Sequence, residues 1–316
     1  MATTLRRAGP AGGGTRRRGR RLTRRDKLVL GLMVGVPTLL HVALVWVPTV
    51  ASVALSFARW DGIGGFDTIK WIGLLNYRQI FTIYPPFWPA IQHNVIWFAV
   101  LLLATGAGLF FAVLLDKQLK FTRLYQSALY LPVALSLAIV GFIWQLVYSP
   151  EDGLLNNLLG RTQPGHLIDW FGNPRINLWA ALVAASWRHV GYIMILYLAG
   201  LKSVDPALRE AAAIDGANEW KAFTRVVFPA LKPINVVVLV ITVIESLRAF
   251  DLVYIINKGT NGLELLSVLV TNNIIGEASR IGYGSALATI LLVIALAFII
   301  PYLVVYFRAS LRKEVR

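Results

Sequence analysis

Cysteine is absent from the 316 residues, which excludes disulfides and thiolate metal sites, and the four histidines are scattered, which leaves no ligand cluster. Charge is sparse as well. Only 15% of residues are charged against 57% hydrophobic, and the mean hydropathy is +0.63. So apolar a chain does not make a soluble domain, and its apolar residues fall in long blocks, the signature of a polytopic helical membrane protein. No Gly-x-x-x-x-Gly-Lys-Ser/Thr loop occurs, so the chain carries no cradle for ATP phosphates. A grouping of Ser, His and carboxylate is missing from the polar intervals, as is any metal-ligand spacing. Both absences argue against an enzyme.

Acidic residues are outnumbered 16 to 31, which gives a formal net charge of +15. Nucleic acid is the first partner such an excess brings to mind, so its distribution decides. Ten of the 31 basic residues sit in the first 27 positions: Arg6, Arg7, Arg16, Arg17, Arg18, Arg20, Arg21, Arg24, Arg25 and Lys27. This stretch mixes them with Gly, Ala and Thr, contains no aromatic residue, and reads as a disordered cytoplasmic tail over 1–27. A topology signal in contact with anionic lipid fits it better than nucleic-acid binding. Thr23-Arg24-Arg25 ahead of an apolar run has the look of a twin-arginine export signal. The run over 28–57 is too long for a signal-peptide core, however, and is expected to stay as a membrane helix.

Six segments are long enough to cross a bilayer: 28–57, 91–115, 127–148, 178–201, 234–256 and 283–307. With the amino terminus inside, the inner intervals hold 22 basic residues and the outer ones seven, so both termini are predicted to be cytoplasmic. Tryptophan agrees. Trp46, Trp60, Trp71, Trp88, Trp97, Trp144, Trp170, Trp179 and Trp187 fall on the outer side, and Trp220 inside, as an outer aromatic belt requires. Ala104, Gly108 and Ala112 form a small-residue stripe on the second segment, and Ala181 and Ala185 begin one on the fourth, which marks close helix contacts. Pro37, Pro48, Pro132 and Pro301 are expected to kink their helices. The outer stretches 58–90 and 149–177 are too short for separate domains and read as a lid or platform for a partner.

The polar interval 202–233 organises the chain. Asp205 can cap a helix start, Pro206 fits its first turn, and 207–214 is strongly helix-forming. Gly216 then ends the helix, because it takes a left-handed conformation without penalty. Asn218 can cap a second helix in which Trp220, Phe223 and Val227 recur at helical spacing, and Pro229 is expected to stop it. A helix, turn and helix with one apolar face suits a groove on a partner. An amphipathic connection lying on the membrane surface has the same pattern.

The residues Glu210, Ala211, Ala212, Asp215, Gly216, Ala217, Phe223, Pro229 and Pro233 resemble, in register, the EAA loop of binding-protein-dependent ABC importer permeases. Further likeness points to their carbohydrate-uptake branch, which includes maltose and glycerol-phosphate permeases. Leu131-Pro132, Ser136, Gly141, Ile143-Trp144 and Gly153 are similar to its third-segment pattern, and Trp187-Arg188 with Leu198-Ala199-Gly200-Leu201 to its fourth. Phe250-Asp251-Leu252-Val253-Tyr254 resembles the end of its fifth. The likeness covers residues 90–307. Gly259-Thr260-Asn261-Gly262 departs from the Gly-Gly-Pro turn common in that branch.

Within the predicted spans, Arg188, Glu245, Arg248 and Asp251 stand out. Arg188 and Glu245 fall near mid-span, where a charge costs about 2.5–3.5 kcal/mol on insertion scales. Glu245, Arg248 and Asp251 are spaced to put a minus, plus, minus ladder on one helix face. Two readings stand: a neutralised cluster that fixes the packing of the fourth and fifth segments, or the wall of a wet cavity that meets substrate. With Trp144 and Tyr148 near the outer ends, the second reading suits a polyhydroxylated solute, and equally a glycerol phosphate ester.

The fold expected is an all-α polytopic membrane protein with six transmembrane helices and both termini cytoplasmic. Residues 1–27 are the tail, 28–307 the permease domain containing the loop 202–233, and 308–316 a second tail. What the resemblance implies is a permease subunit in a bacterial plasma membrane, importing a sugar, oligosaccharide or related polyol. Its coupling loop would use Glu210, Ala211, Ala212, Asp215, Gly216, Ala217, Trp220, Phe223 and Pro229. The implied partners are a second, similar permease in a heterodimer, two cytoplasmic ATPase subunits that bind ATP and Mg²⁺, an external substrate-binding protein and membrane lipid. No cofactor is expected on this chain. An ion-gradient-driven secondary transporter is the alternative, although the halves of the chain show no convincing repeat.

Overall fold

The computed structural model describes residues 23–117, 120–276 and 279–314, with 309–314 as backbone alone. The chain divides after Ala51 into two units. In the first, α1 (Arg24–His41) opens on a capping box, in which Thr23 Oγ1 accepts from the Asp26 amide at 3.2 Å and Asp26 Oδ2 from the Thr23 amide at 3.0 Å. Arg24, Arg25 and Lys27 therefore stand in a helix, four residues ahead of the predicted span. The expectation for the arginine-rich stretch before Thr23 lies outside the described residues. α1 contains Pro37 and passes through a π turn at Val42–Trp46 into α2 (Val47–Leu55).

The second unit starts with a small antiparallel pair, β1 (Ala58–Arg59) and β2 (Lys70–Trp71), with Ala58 opposite Trp71. Helix α3 (Leu75–Thr82) follows, and its buried Asn76 donates from Nδ2 to the carbonyls of Ser56 and Ala58, each at 2.9 Å. Then come α4 (Phe87–Asp116), α5 (Thr122–Ala134), α6 (Leu137–Val147), the short α7 (Leu154–Leu158) and α8 (Asn177–Ser203). α9 (Pro206–Ile214) and α10 (Glu219–Ala222) lead through a π turn at Phe223–Val227 into α11 (Phe228–Ala230) and α12 (Lys232–Leu247). α13 (Asp251–Asn257), α14 (Leu266–Ile274) and α15 (Ile281–Glu314) complete the chain.

Among the described residues, four helical stretches are long and apolar enough to cross a membrane, or up to six if each of two bent pairs counts as one span. The first bend falls where the third span was expected to be a single helix; the second lies at Leu231, just ahead of the expected fifth span 234–256. α5 and α6 meet at 102°, and the α10–α11 stretch meets α12–α13 at 73°. At the first bend Pro132 removes an amide donor, Leu135 is extended, and Ser136 opens α6 by accepting from the Ile139 amide at 3.3 Å. At the second, Pro229 does not stop its helix. α11 continues to Ala230, the chain turns at Leu231, and Pro233 occupies the first turn of α12. Pro301 leaves α15 uninterrupted.

Small residues set the central contact. Ala104 and Ala112 of α4 are buried, and a Cβ on Gly108 would lie 2.8 Å from Ile193 Cβ and 3.0 Å from the Val190 carbonyl of α8. Between helices in lipid there is no hydrophobic driving force, so van der Waals fit of this kind carries association. Ala181 of α8 is likewise buried. A polar chain then joins three helices: His189 Nε2 of α8 is 3.0 Å from Thr105 Oγ1 of α4, which is 3.1 Å from Thr242 Oγ1 of α12. Thr242 donates onward to the Val238 carbonyl at 2.8 Å.

Three expectations follow for the purified subunit in detergent. Gly108→Ala lowers the thermal midpoint, since overpacking at a closed contact costs about 1–3 kcal/mol. Gly106→Ala on the same helix meets nothing within 4 Å and leaves the midpoint unchanged or raised, in line with helix propensity. Thr105→Val keeps the shape but leaves buried His189 only the longer 3.5 Å contact with Thr242, and is expected to destabilise by about 1–3 kcal/mol in the same assay.

Candidate functional site

The segment 205–233 folds as its capping residues dictate. Asp205 Oδ1 accepts from the Ala207 amide at 2.9 Å, with Pro206 in the first turn of α9. Gly216 has φ +75°, its amide donates to the Ala213 carbonyl at 3.1 Å, and the Ala217 amide donates to the Ala212 carbonyl at 3.0 Å. That pair of bonds is a Schellman closure, which uses up the last carbonyls of α9 and needs a residue free to take positive φ. Asn218 Oδ1 accepts from the Lys221 amide at 2.9 Å to start α10. Around this turn Glu210, Ala211, Asp215, Trp220 and Pro229 are exposed, Ala212 is buried, and Ala217 and Phe223 are half-buried.

Trp220 was grouped with Phe223 and Val227 on one apolar face, and the structure keeps its ring 6.5 Å from that of Phe223 but leaves it out of the packing that buries Val227. Val227 packs in a buried cluster with Leu231, Leu198 and Leu201, whereas Trp220 is 72% exposed and Ile214 87%. The π turn at 223–227 widens the helix by one residue per turn, which breaks the 3.6-residue register on which that face was read. Lys117, just beyond α4, donates to Glu219, and this hydrogen bond together with the ammonium charge holds the Glu219 carboxyl below its ordinary value.

A second locus lies among α4, α8, α12 and α13. Arg188, Glu245, Arg248 and Asp251 line one cavity of about 130 Å³, with Trp97, Leu101 and Phe250 in its apolar wall. Arg188 Nη1 is 3.9 Å from Glu245 Oε2, a loose pair whose side chains stay 23% and 33% exposed. Arg188 Nε is buried without a hydrogen-bond partner. The predicted ladder along one helix is not there. α12 ends at Leu247 and α13 begins at Asp251, so Arg248 and Asp251 stand on either side of a break. Asn94 Nδ2 donates to the Ser246 carbonyl at 3.1 Å, Ser267 Oγ to the Ala249 carbonyl at 2.8 Å, and Asn94 Oδ1 accepts from the Leu266 amide at 3.0 Å. Two carbonyls at the break, those of Ser246 and Ala249, are thereby satisfied from α4 and α14.

His189 lines the same cavity, and sequence reasoning passed over it and Asn94 alike. Asn94 closes the polar run Gln92-His93-Asn94 and His189 follows Arg188, and the available signal was that both fall inside spans, where polar side chains seldom occur without a bonding role. Trp144 and Tyr148 do not line the cavity. They belong to an aromatic group beside it: Trp144 stands 5.8 Å from Trp187 and 5.1 Å from Tyr148, which packs 4.8 Å from Phe171 and 5.4 Å from Trp170 by ring centroid. The departing turn at 259–262 is built with positive φ at Gly259, Asn261 and Gly262, and it meets the 149–177 stretch where the Asn261 carbonyl accepts from Asn177 Nδ2 at 2.5 Å. Among the described residues no cluster of His, Asp and Glu has the make-up to hold a metal ion.

Residues 104–313, which take in the capped turn and most of the cavity, match the family described as binding-protein-dependent transport system inner membrane component. The chain is 33% identical over 276 residues to the xylose/arabinose import permease protein of Haloferax volcanii, covering 85% of each. It is 30% identical over 280 residues to the trehalose/maltose transport system permease protein of Thermococcus litoralis, covering 87% of this chain and 92% of that protein. A chain in the crystal structure of a bacterial ABC transporter that imports the acidic polysaccharide alginate has the same fold, with TM-score 0.73 and 22% identity over 90% of this chain and 96% of that one. These relatives do not favour the ion-gradient alternative, and their role is that of a non-enzymatic subunit. The chain belongs to the binding-protein-dependent transport system inner membrane components, the permease subunits of ABC importers.

Proposed function

We propose that this permease imports a sugar, oligosaccharide or related polyol and takes its drive from a cytoplasmic ATPase docked on residues 205–233. One observation carries the reading: a rigidly capped turn presents the apolar side chains Ile214 and Trp220 to solvent, the form of a plug for a groove on a partner. Two ATPase subunits hold ATP and Mg²⁺, and this chain binds no cofactor. With each bent pair counted as one, six spans result, and the excess of basic residues on one side puts both termini in the cytoplasm of a bacterial plasma membrane. Residues before Arg24 then lie against anionic lipid, and 308–316 forms the second cytoplasmic end.

A second, similar permease faces this one as a heterodimer, and an external binding protein delivers the solute. A transporter of the same fold has been solved with an alginate pentasaccharide-bound periplasmic protein, which supports that assembly. Closure of the ATPases moves the capped turn, and the pathway between the permeases alternates between its two openings. The cavity supports a polyhydroxylated solute: Arg188, Arg248, Glu245 and Asp251 supply directional donors and acceptors, while Trp97 and Phe250 supply flat apolar faces. The named sugars of the two relatives agree with this chemistry.

Pull-down of the subunit in detergent tests the docking. An ATPase is expected to copurify with the parent chain and to be lost or uncoupled in Gly216→Pro, because proline fixes φ near −65° where this turn needs +75°. If nothing with ATPase activity binds the parent, the segment is only a connection. For the cavity, Glu245→Gln is expected to reduce uptake about tenfold, equivalent to ~1.4 kcal/mol, in complexes that assemble normally. Normal uptake per complex with poor assembly would make the ion pair a packing element instead.

A further inference from the structure

Helix α4 ends on a charge of the wrong sign. Asp116 is its last residue, where the helix dipole already gathers negative partial charge, so an acid there is disfavoured unless paired. It is paired across to the coupling segment. Arg209 Nη1 of α9 lies 2.8 Å from Asp116 Oδ2, and the Asp116 side chain is only 15% exposed. The next residue, Lys117, pairs with Glu219 at the start of α10. Two consecutive residues at the foot of α4 thus grip the segment on both sides of the Gly216 turn. Packing adds a third hold, since Ala112 and Leu115 of α4 share a buried cluster with Val227 and Leu231.

The other end of α4 reaches the transport locus. Trp97 and Leu101 line the charged cavity, and Asn94 holds both the Ser246 carbonyl at the α12 break and the Leu266 amide. From Asn94 to Asp116 the helix is unbroken and about 33 Å long at 1.5 Å per residue. Its small-residue stripe and the Thr105 hydroxyl bind it to α8 and α12 along the way.

We propose that Asp116 and Lys117 form, with Arg209 and Glu219, a two-point latch through which the coupling segment drives α4 as a rod, making α4 the output helix that reshapes the cavity. This rests on the coupling reading above. The Lys117–Glu219 pair is mostly solvated and contributes chiefly orientation, so the half-buried Asp116–Arg209 pair carries most of the force. Neither pair closes the core, so their removal acts on coupling before it acts on assembly.

The test uses the complete transporter in proteoliposomes, with its partner permease, ATPases and binding protein, and measures solute taken up per ATP hydrolysed. Asp116→Arg and Arg209→Asp each set like charges side by side, and each is expected to lower that ratio about threefold with the ATPase still bound, while the double exchange restores it. An unchanged ratio in the single variants, or a double exchange no better than the worse single, overturns the latch. If a single reversal fails to assemble, Asp116→Asn removes the charge without repulsion: a lowered ratio supports the latch, and an unchanged one overturns it. Absence of an ATPase from the parent complex is a distinct outcome and overturns the coupling reading and the latch together.

Discussion

A backbone carbonyl or amide that loses its helical partner inside a bilayer has no water to turn to, and each such orphan costs several kcal/mol. This chain nevertheless interrupts its apolar helices near Ser136, at Leu231 and between Leu247 and Asp251. The interruptions at Ser136 and between Leu247 and Asp251 are met by side chains, and these bonds fix the rest of the arrangement. Ser136 caps α6, Asn94 and Ser267 take the carbonyls of Ser246 and Ala249, and Gln145 Nε2 donates to the carbonyls of Ile255 and Ile256 at 2.8 and 3.1 Å. Since the donors come from α4, α6 and α14, the breaks pull those elements around α12 and α13.

The break between α12 and α13 also makes the cavity polar. On a continuous helix Glu245, Arg248 and Asp251 would have neutralised one another along a single stripe. Interrupted at 248–250, they fan around a common space, and Glu245 turns to Arg188 on α8 at a separation too long for a tight bond. A tight pair would have closed the space; a loose one with an unpartnered Arg188 Nε leaves hydrogen-bonding capacity for something else. The polar lock of His189, Thr105 and Thr242 beside it keeps the surrounding helices from relaxing inward.

Much of this was legible in the sequence, and the part that was not has a common cause. Asp205, Gly216 and Asn218 announced the capped turn because capping is local chemistry, decided by one side chain and the amides within three residues of it. The stripe of Ala104, Gly108 and Ala112 announced the α4–α8 contact for a similar reason, since only small residues permit close approach. The bend of the third span and the break at 248–250 in the fifth were hidden. Hydropathy reports that a stretch is apolar, and an apolar stretch with distant donors such as Asn94 and Ser267 scores like a straight helix. Arg248 and Asp251 were placed on a face that the break removes, and Pro229 was given a stop that Leu231 supplies. His189 and Asn94 were passed over because their partners lie far away in sequence, at Thr242 and Leu266.

Trp220 combines both lessons. Its spacing from Phe223 and Val227 follows a regular helix, and a regular helix would have let it share in the packing that buries Val227. The π turn at Phe223–Val227, into which Thr224 Oγ1 donates back to the Trp220 carbonyl at 2.7 Å, rotates the two halves of that face apart. The apolar surface of Trp220 left outside is free energy that this subunit alone does not recover. It is recovered only when another surface covers the corner. On the docking proposed above, the exposed ring, standing between two ends that are each fixed to α4, one by Arg209 and Asp116 and the other by Val227 and Leu115, is where force would enter the chain.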